Sequence, residues 1–139
     1  MIFEVKGKVV PSPRPRVSKF GTYMPHNYVL YKEAIKNAFK ELKPNFTPLA
    51  GEINIKITTV FSVPKSYSKK KREALLPIEG VEHSGAGYTH RPDVDNIAKT
   101  VLDALNKVVY LDDGQVTGLL VLKEYGYEDK VIIEIREIE

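Results

Sequence analysis

From Ile53 to Ile57 every second residue is apolar, and the alternation runs on from Gly51 to Val63 before Pro64 removes a backbone donor. At about 3.3 Å per residue this is a long strand, and the other elements must be arranged around it. Ile2 to Val10 alternates in the same way until Pro11-Ser12-Pro13-Arg14-Pro15-Arg16, whose prolines favour a stiff, extended, basic loop. Asn27 is placed to cap a helix in which Leu30, Tyr31, Ala34, Ile35, Ala38, Phe39 and Leu42 recur at intervals of three and four, with its end near Pro44. Ser68 is placed to cap a short basic helix. Asp95 to Lys107 repeats the helical period through Ile97, Val101, Ala104 and Leu105. Gln115 to Tyr125 and Lys130 to Ile138 read as two strands, and Gly126-Tyr127-Glu128-Asp129 between them predicts an antiparallel hairpin.

At 139 residues the chain is expected to be one domain, residues 1–139, burying roughly two thirds of its unfolded surface. It has no cysteine, which excludes thiol catalysis and cysteine-ligated metal. The chain opens on strand residues with no leader-like pattern and has no run of eighteen apolar residues. The expectation is therefore a soluble, cytoplasmic protein with no membrane partner. Between Pro77 and Thr89 three glycines occur with little periodicity, which predicts a mobile loop. That loop lacks both the Gly-Lys-Ser/Thr ending of a phosphate cradle and the glycine spacing of a dinucleotide fingerprint, so no nucleotide cofactor is expected.

A net charge of +3 conceals an uneven distribution. Residues 1–76 carry fifteen Lys and Arg against five Glu, and residues 77–139 carry six basic residues against thirteen acidic ones. A basic surface next to carboxylates that would repel a polyanion unless they held a cation points to a metal-dependent enzyme acting on nucleic acid.

The acidic half contains His90-Arg91-Pro92-Asp93-Val94-Asp95-Asn96-Ile97-Ala98-Lys99, followed by Leu111-Asp112-Asp113-Gly114-Gln115-Val116. Asp93 and Asp95 fall at a helix entrance, and Lys99 and Asp103 follow on one stripe at steps of four. If this helix packs on the strand after it, Asp113 returns beside Asp93 and Asp95, and three carboxylates share a hard cation. Each residue also has an ordinary explanation: Asp93 as a helix cap, Lys99 as an i,i+4 ion-pair partner, and Asp112-Asp113-Gly114 as a tight turn. The joint pattern favours function, because close carboxylates repel by roughly 1 kcal/mol or more per pair unless a cation joins them. His26, His83 and His90 are too scattered to form a ligand set.

The stretches Arg91-Pro92-Asp93-Val94-Asp95-Asn96-Ile97-Ala98-Lys99, Leu102-Asp103-Ala104-Leu105-Asn106 and Asp112-Asp113-Gly114-Gln115-Val116, with Lys123, resemble the RusA family of Holliday junction resolvases. Gly7 to Arg16 resembles the family's opening strand and basic proline loop. The resemblance implies an α+β fold, here a small mixed sheet of about four strands with two main helices on one face. It implies a homodimeric, magnesium-dependent endodeoxyribonuclease, with manganese as a substitute, encoded by a bacterium or phage and acting in recombination and repair. Such an enzyme resolves four-way DNA junctions by paired symmetric nicks. By position, Asp93, Asp95 and Asp113 are the implied metal ligands, with Asp112 the weaker member of its pair. Lys99 is the implied catalytic lysine, with Asn96 and Asp103 supporting the site. Arg14, Arg16, Lys19, Lys69, Lys70, Lys71 and Arg72 are expected to bind the DNA backbone. Tyr23, Tyr28, Tyr67 and Tyr88 are candidates to stack on unpaired bases. The readings to set against this one are a branched-DNA-binding protein without turnover and a metal nuclease acting on RNA or flaps.

Overall fold

The computed structural model describes residues 1–14, 16–78, 80 and 84–139. Pro15, the Arg16 side chain, His83 and the middle of the Pro77–Thr89 loop lie outside the described residues. In chain order the elements are β1 (Ile2–Lys6), β2 (Arg16–Ser18), β3 (Gly21–Tyr23), α1 (His26–Leu42), β4 (Ile53–Ser62), α2 (Lys69–Leu75), α3 (Val94–Leu105), a 3₁₀ turn (Asp113–Gln115), β5 (Val116–Gly126) and β6 (Lys130–Glu137). The fold is α+β, as expected, with a mixed sheet of four strands in the order β1-β6-β4-β5.

The sheet order corrects the hairpin predicted for β5 and β6. The two strands do not pair with each other: β5 lies parallel to β4 on one side, and β6 lies antiparallel to it on the other. The reason is in β4, which is buried on both faces from Ile57 to Phe61 and so belongs in the middle of a sheet. The turn at Gly126 therefore steps across the end of β4 and is fastened there. The Asp129 carboxylate accepts hydrogen bonds from the Ser62 backbone N–H at 2.9 Å and from the Ser62 hydroxyl at 3.3 Å. β1 closes the far edge by pairing antiparallel with β6.

One face of the sheet carries the core. Phe3 and Val5 from β1, Ile53, Ile55 and Ile57 from β4, and Val131, Ile133 and Ile135 from β6 pack against Tyr31, Ile35 and Phe39 of α1 and Ile97, Val101, Ala104 and Leu105 of α3. The α1 stripe differs from the one predicted. The helix begins at His26, after Pro25, so Asn27 is not its cap, and the buried positions are Tyr28, Tyr31, Ile35 and Phe39. Leu30 and Leu42 are exposed, because burying Tyr28 turns the stripe away from them.

Two segments outside the expected strands carry strand pairing. Residues 16–23 form a two-stranded ribbon, Arg16 opposite Tyr23 and Ser18 opposite Gly21. Its described strand residues are exposed, so no periodic burial marked it in the sequence. The end of the glycine-rich segment lies along the edge of β5: Gly85 N–H donates to Tyr125 O, Tyr125 N–H to Ala86 O and Tyr88 N–H to Lys123 O. A side chain at Gly85 would overlap the carbonyl oxygens of Tyr125 and Leu75. Both are backbone atoms, so neither yields easily. Gly85→Ala is expected to lower stability by about 1–3 kcal/mol, read as a fall in the denaturation midpoint at unchanged slope. Gly87→Ala, at a position with open space around it, is the control.

Candidate active site

α3 is amphipathic, and its buried face fixes where its charged face points. With Ile97, Val101, Ala104 and Leu105 in the core, Asp95, Lys99 and Asp103 are exposed on the stripe the sequence predicted. Asp93 occupies the N-cap position in extended backbone geometry (φ −74°, ψ 151°), yet its side chain makes no capping hydrogen bond. Among the described residues the side chains of Asp93, Asp95, Lys99 and Asp113 make no hydrogen bond or ion pair. The ordinary explanations, capping for Asp93 and an i,i+4 ion pair for Lys99, are not realised.

Asp112 differs. Its carboxylate accepts from the Gly114 N–H at 2.9 Å, and its own N–H donates to Gln115 Oε1 at 2.9 Å. Gln115 Nε2 in turn donates to the Leu49 and Gly51 carbonyls at 2.8 and 2.9 Å. Asp112 and Gln115 thus build the turn and fasten it to the chain entering β4, leaving Asp113 as the unengaged acid of the pair.

The two acidic clusters stand apart within one protomer. α3 returns toward the start of β5, so Asp112 and Asp113 come beside its C-terminal half. There Tyr110 donates to Leu102 O at 2.7 Å. Burial first, and then the carboxylates of Asp113, Asp103 and Asp112, hold the Tyr110 phenol above its ordinary range. Asp93 lies at the opposite end of α3, next to Lys123 on β5. From Val116 to Lys123 the strand rises roughly 23 Å at about 3.3 Å per residue. Among the described residues no three Asp, Glu or His side chains converge as a metal-holding group.

Lys123 was quoted in the sequence motif without a role, and the structure gives it one. Its ammonium donates to the carbonyl oxygens of His90 at 2.7 Å and Pro92 at 2.8 Å, fastening the segment that leads into Asp93. No spacing in the sequence announces this contact. Beside it Tyr88 stacks on Phe61 at 3.8 Å and meets His90 edge-on at 5.4 Å. A cavity of about 220 Å³ opens here, lined by Tyr67, Tyr88, Tyr125 and His90, with Lys8 and Asp129. A larger cavity, about 640 Å³, lies elsewhere, on the sheet face bearing Ile2, Lys56, Leu120 and Arg136.

The basic residues vary in availability. Arg14, Lys19, Lys69, Lys70 and Lys71 are exposed. Ser68 caps α2 as predicted, accepting from the Lys71 N–H at 3.2 Å, and Lys71 also covers the Tyr67 ring at 4.0 Å. Arg72 is half-buried, with its Nε away from solvent. Of the four candidate tyrosines, Tyr28 is fully buried and donates to Asp103 at 3.3 Å.

An α+β domain carrying an exposed, unneutralised carboxylate pair at a helix entrance beside basic surface elements has the makings of a phosphodiester-processing site. Residues 6–136 match the family described as "Endodeoxyribonuclease RusA". The chain is also 34% identical over 140 residues to a protein of Bacillus subtilis (strain 168) named "Uncharacterized protein YqaN", covering 98% of this chain and 95% of that one. The chain belongs to the RusA family of endodeoxyribonucleases, the family its motifs resemble. The family implies endodeoxyribonuclease activity on branched DNA junctions, generally dependent on a divalent metal. Among the described residues no helix is long and apolar enough to cross a membrane.

Lys123→Met removes both clamps on the His90–Pro92 backbone. Hydrogen bonds from charged groups contribute roughly 1.5–3 kcal/mol when well formed, and partial exposure places this pair at the low end. The expected outcome is a modest fall in melting temperature with a larger loss of nuclease rate, measured on the same preparation; an unchanged rate would remove Lys123 from the positioning of Asp93.

Proposed function

We propose that this protein is a magnesium-dependent resolvase that cuts four-way DNA junctions by paired symmetric nicks in recombination and repair, working as a homodimer. The observation that carries this reading is that Asp93, Asp95, Lys99 and Asp113 serve no other side chain among the described residues. Neither carboxylate is engaged by a cap or an ion pair among the described residues, which leaves their oxygens available to a cation.

Asp93 and Asp95 offer only oxygen donors, which suits a magnesium ion held by one or two carboxylates, its own waters and a substrate phosphate. A divalent cation there supplies Lewis-acid activation of the phosphodiester for hydrolysis. The protein's own contribution is positional. Asp93 and Asp95 would hold the ion at the mouth of α3, and Lys99 would present an ammonium with three donors to phosphate oxygens, where negative charge grows in hydrolysis. Arg14, Arg16, Lys19 and Lys69 to Lys71 bind the sugar-phosphate backbone, so affinity falls steeply with salt.

Within a protomer Asp113 stands too far away to join Asp93 and Asp95, and the proposed dimer supplies a solution. β5 is an edge strand whose stretch before Lys123 pairs, among the described residues, only with β4, and Leu119, Leu120 and Leu122 are exposed along it. Antiparallel pairing of two copies centred on Leu119 sets Val116 of one opposite Leu122 of the other, which carries the partner's Asp113 toward this protomer's Asp93. A two-fold axis there also matches the symmetry of a four-way junction.

On a labelled synthetic junction, Asp95→Asn and Asp113→Asn are each expected to reduce magnesium-dependent nicking by about 100-fold or more while binding in calcium persists and stability changes by less than about 0.5 kcal/mol. Loss of binding together with nicking would sink the catalytic assignment. Faster cutting of RNA or flaps would leave the metal site standing and move the substrate. Mixing the two inactive variants separates the site architectures. If each site draws on two subunits, the mixed dimer has one intact site and nicking returns on one strand; if each site is built within one protomer, the mixture stays inactive.

A further inference from the structure

We propose that Phe20, at the tip of the β2–β3 ribbon, is an apolar wedge that inserts into an unstacked base step where the arms of a branched DNA meet. This rests on the nucleic-acid reading above and specifies how the branch point itself is recognised.

Phe20 contributes nothing visible to the fold: 89% of its surface is exposed, and Val17 beside it is also exposed. The tip is nevertheless well defined. The Ser18 hydroxyl accepts from the Phe20 N–H at 3.2 Å and donates to the Gly21 carbonyl at 3.3 Å. Gly21 takes a φ of +124°, which side-chain-bearing residues rarely adopt. A large ring is thus held out on a short, internally bonded turn, with the Lys19 ammonium 5.1 Å from its centre.

The ribbon is rooted on the helix that carries the acidic site. Just before it, Ser12 N–H donates to Asn96 O at 3.1 Å and the Thr100 hydroxyl donates to Val10 O at 3.0 Å. Just after it, Tyr28 donates to Asp103 at 3.3 Å. Asn96, Thr100 and Asp103 all belong to α3, so the arm that presents Phe20 is anchored at both ends beside Asp95 and Lys99.

Charge selects the partner. Between Glu4 and Glu33 there is no acidic residue, whereas Lys6, Lys8, Arg14, Arg16, Lys19 and Lys32 are basic. An apolar tip on an acid-free basic arm fits a polyanion with apolar planes accessible inside it, which describes a nucleic acid whose bases are partly unstacked. Intact duplex resists such entry because unstacking costs free energy at every closed step; a branch point has steps already strained or open. The wedge therefore favours branched over linear DNA without reading sequence.

The test uses the full-length protein and an immobile four-way junction carrying 2-aminopurine beside the crossover, with calcium for binding and magnesium for cutting. Wild type is expected to raise the fluorescence several-fold on the junction and little on linear duplex of the same sequence. Phe20→Ala is expected to lose that rise and to cut the junction about 10-fold more slowly or worse, while its duplex affinity and melting temperature stay at wild-type values. Phe20→Leu retains part of both signals. If Phe20→Ala gives the full fluorescence rise and rate, the wedge is wrong although the resolvase reading stands. If wild type neither binds nor cuts junctions, the functional reading fails and takes the wedge with it. Sedimentation gives a third outcome: a wild-type dimer that becomes a monomer with Phe20→Ala would make Phe20 a subunit contact and overturn the proposal.

Discussion

The burial of β4 on both faces constrains everything around it. A strand that exposes neither face through its C-terminal half must have neighbours on each side, and the two strands that follow α3 in the chain become those neighbours instead of pairing with one another. β5 is thereby driven to the edge. Because α3 packs back along β5, the acid that starts the strand and the lysine near its end serve opposite ends of the helix. The spacing of the acidic clusters within one protomer is thus a consequence of sheet order, set by the demands of the core.

The core and the site draw on the same helix for opposite purposes. The apolar face of α3 is fully used, and Thr100 on the same helix bonds the chain entering the ribbon. On the other face the side chains of Asp93, Asp95 and Lys99 make no bond among the described residues. Ion pairing of a buried lysine lies in another part of the fold. Lys130, 1% exposed, reaches Glu4 at 3.3 Å and Glu128 at 3.8 Å, and Lys6 bonds Glu128 at 2.7 Å. That network ties β1 to the β5–β6 turn.

Much of this was legible in the chain. The sheet strands and the two long helices follow from period-two and period-three-to-four patterns, α2 follows from the Ser68 cap ahead of its basic run, and the order of charges around Asp93 placed them on the outer stripe of α3. What escaped had no periodic signature. The ribbon at 16–23 buries almost nothing. The partner of β5 depends on competition between strands distant in sequence, which the Gly126–Asp129 turn, compatible with a hairpin, did not reveal. Lys123 acts through two backbone carbonyls, and no side-chain type encodes an acceptor of that kind. Gly85 lies against two carbonyl oxygens, a requirement visible only once β5 and α2 are placed.

The pairing of β1 with β6 joins the first strand of the chain to the last. Met1 and Ile135 bond reciprocally at one end of that ladder, the Met1 ammonium donating to the Ile135 carbonyl and the Ile135 N–H to the Met1 carbonyl, and β6 is also what covers one side of β4. A ribosome releasing this chain from its N-terminus therefore exposes β1, α1 and β4 before their shared neighbour exists. Contacts spanning nearly the whole chain make closure slow relative to local helix formation. The sheet, and with it the strand against which α3 rests, is completed only once residues 130–137 are free to pair.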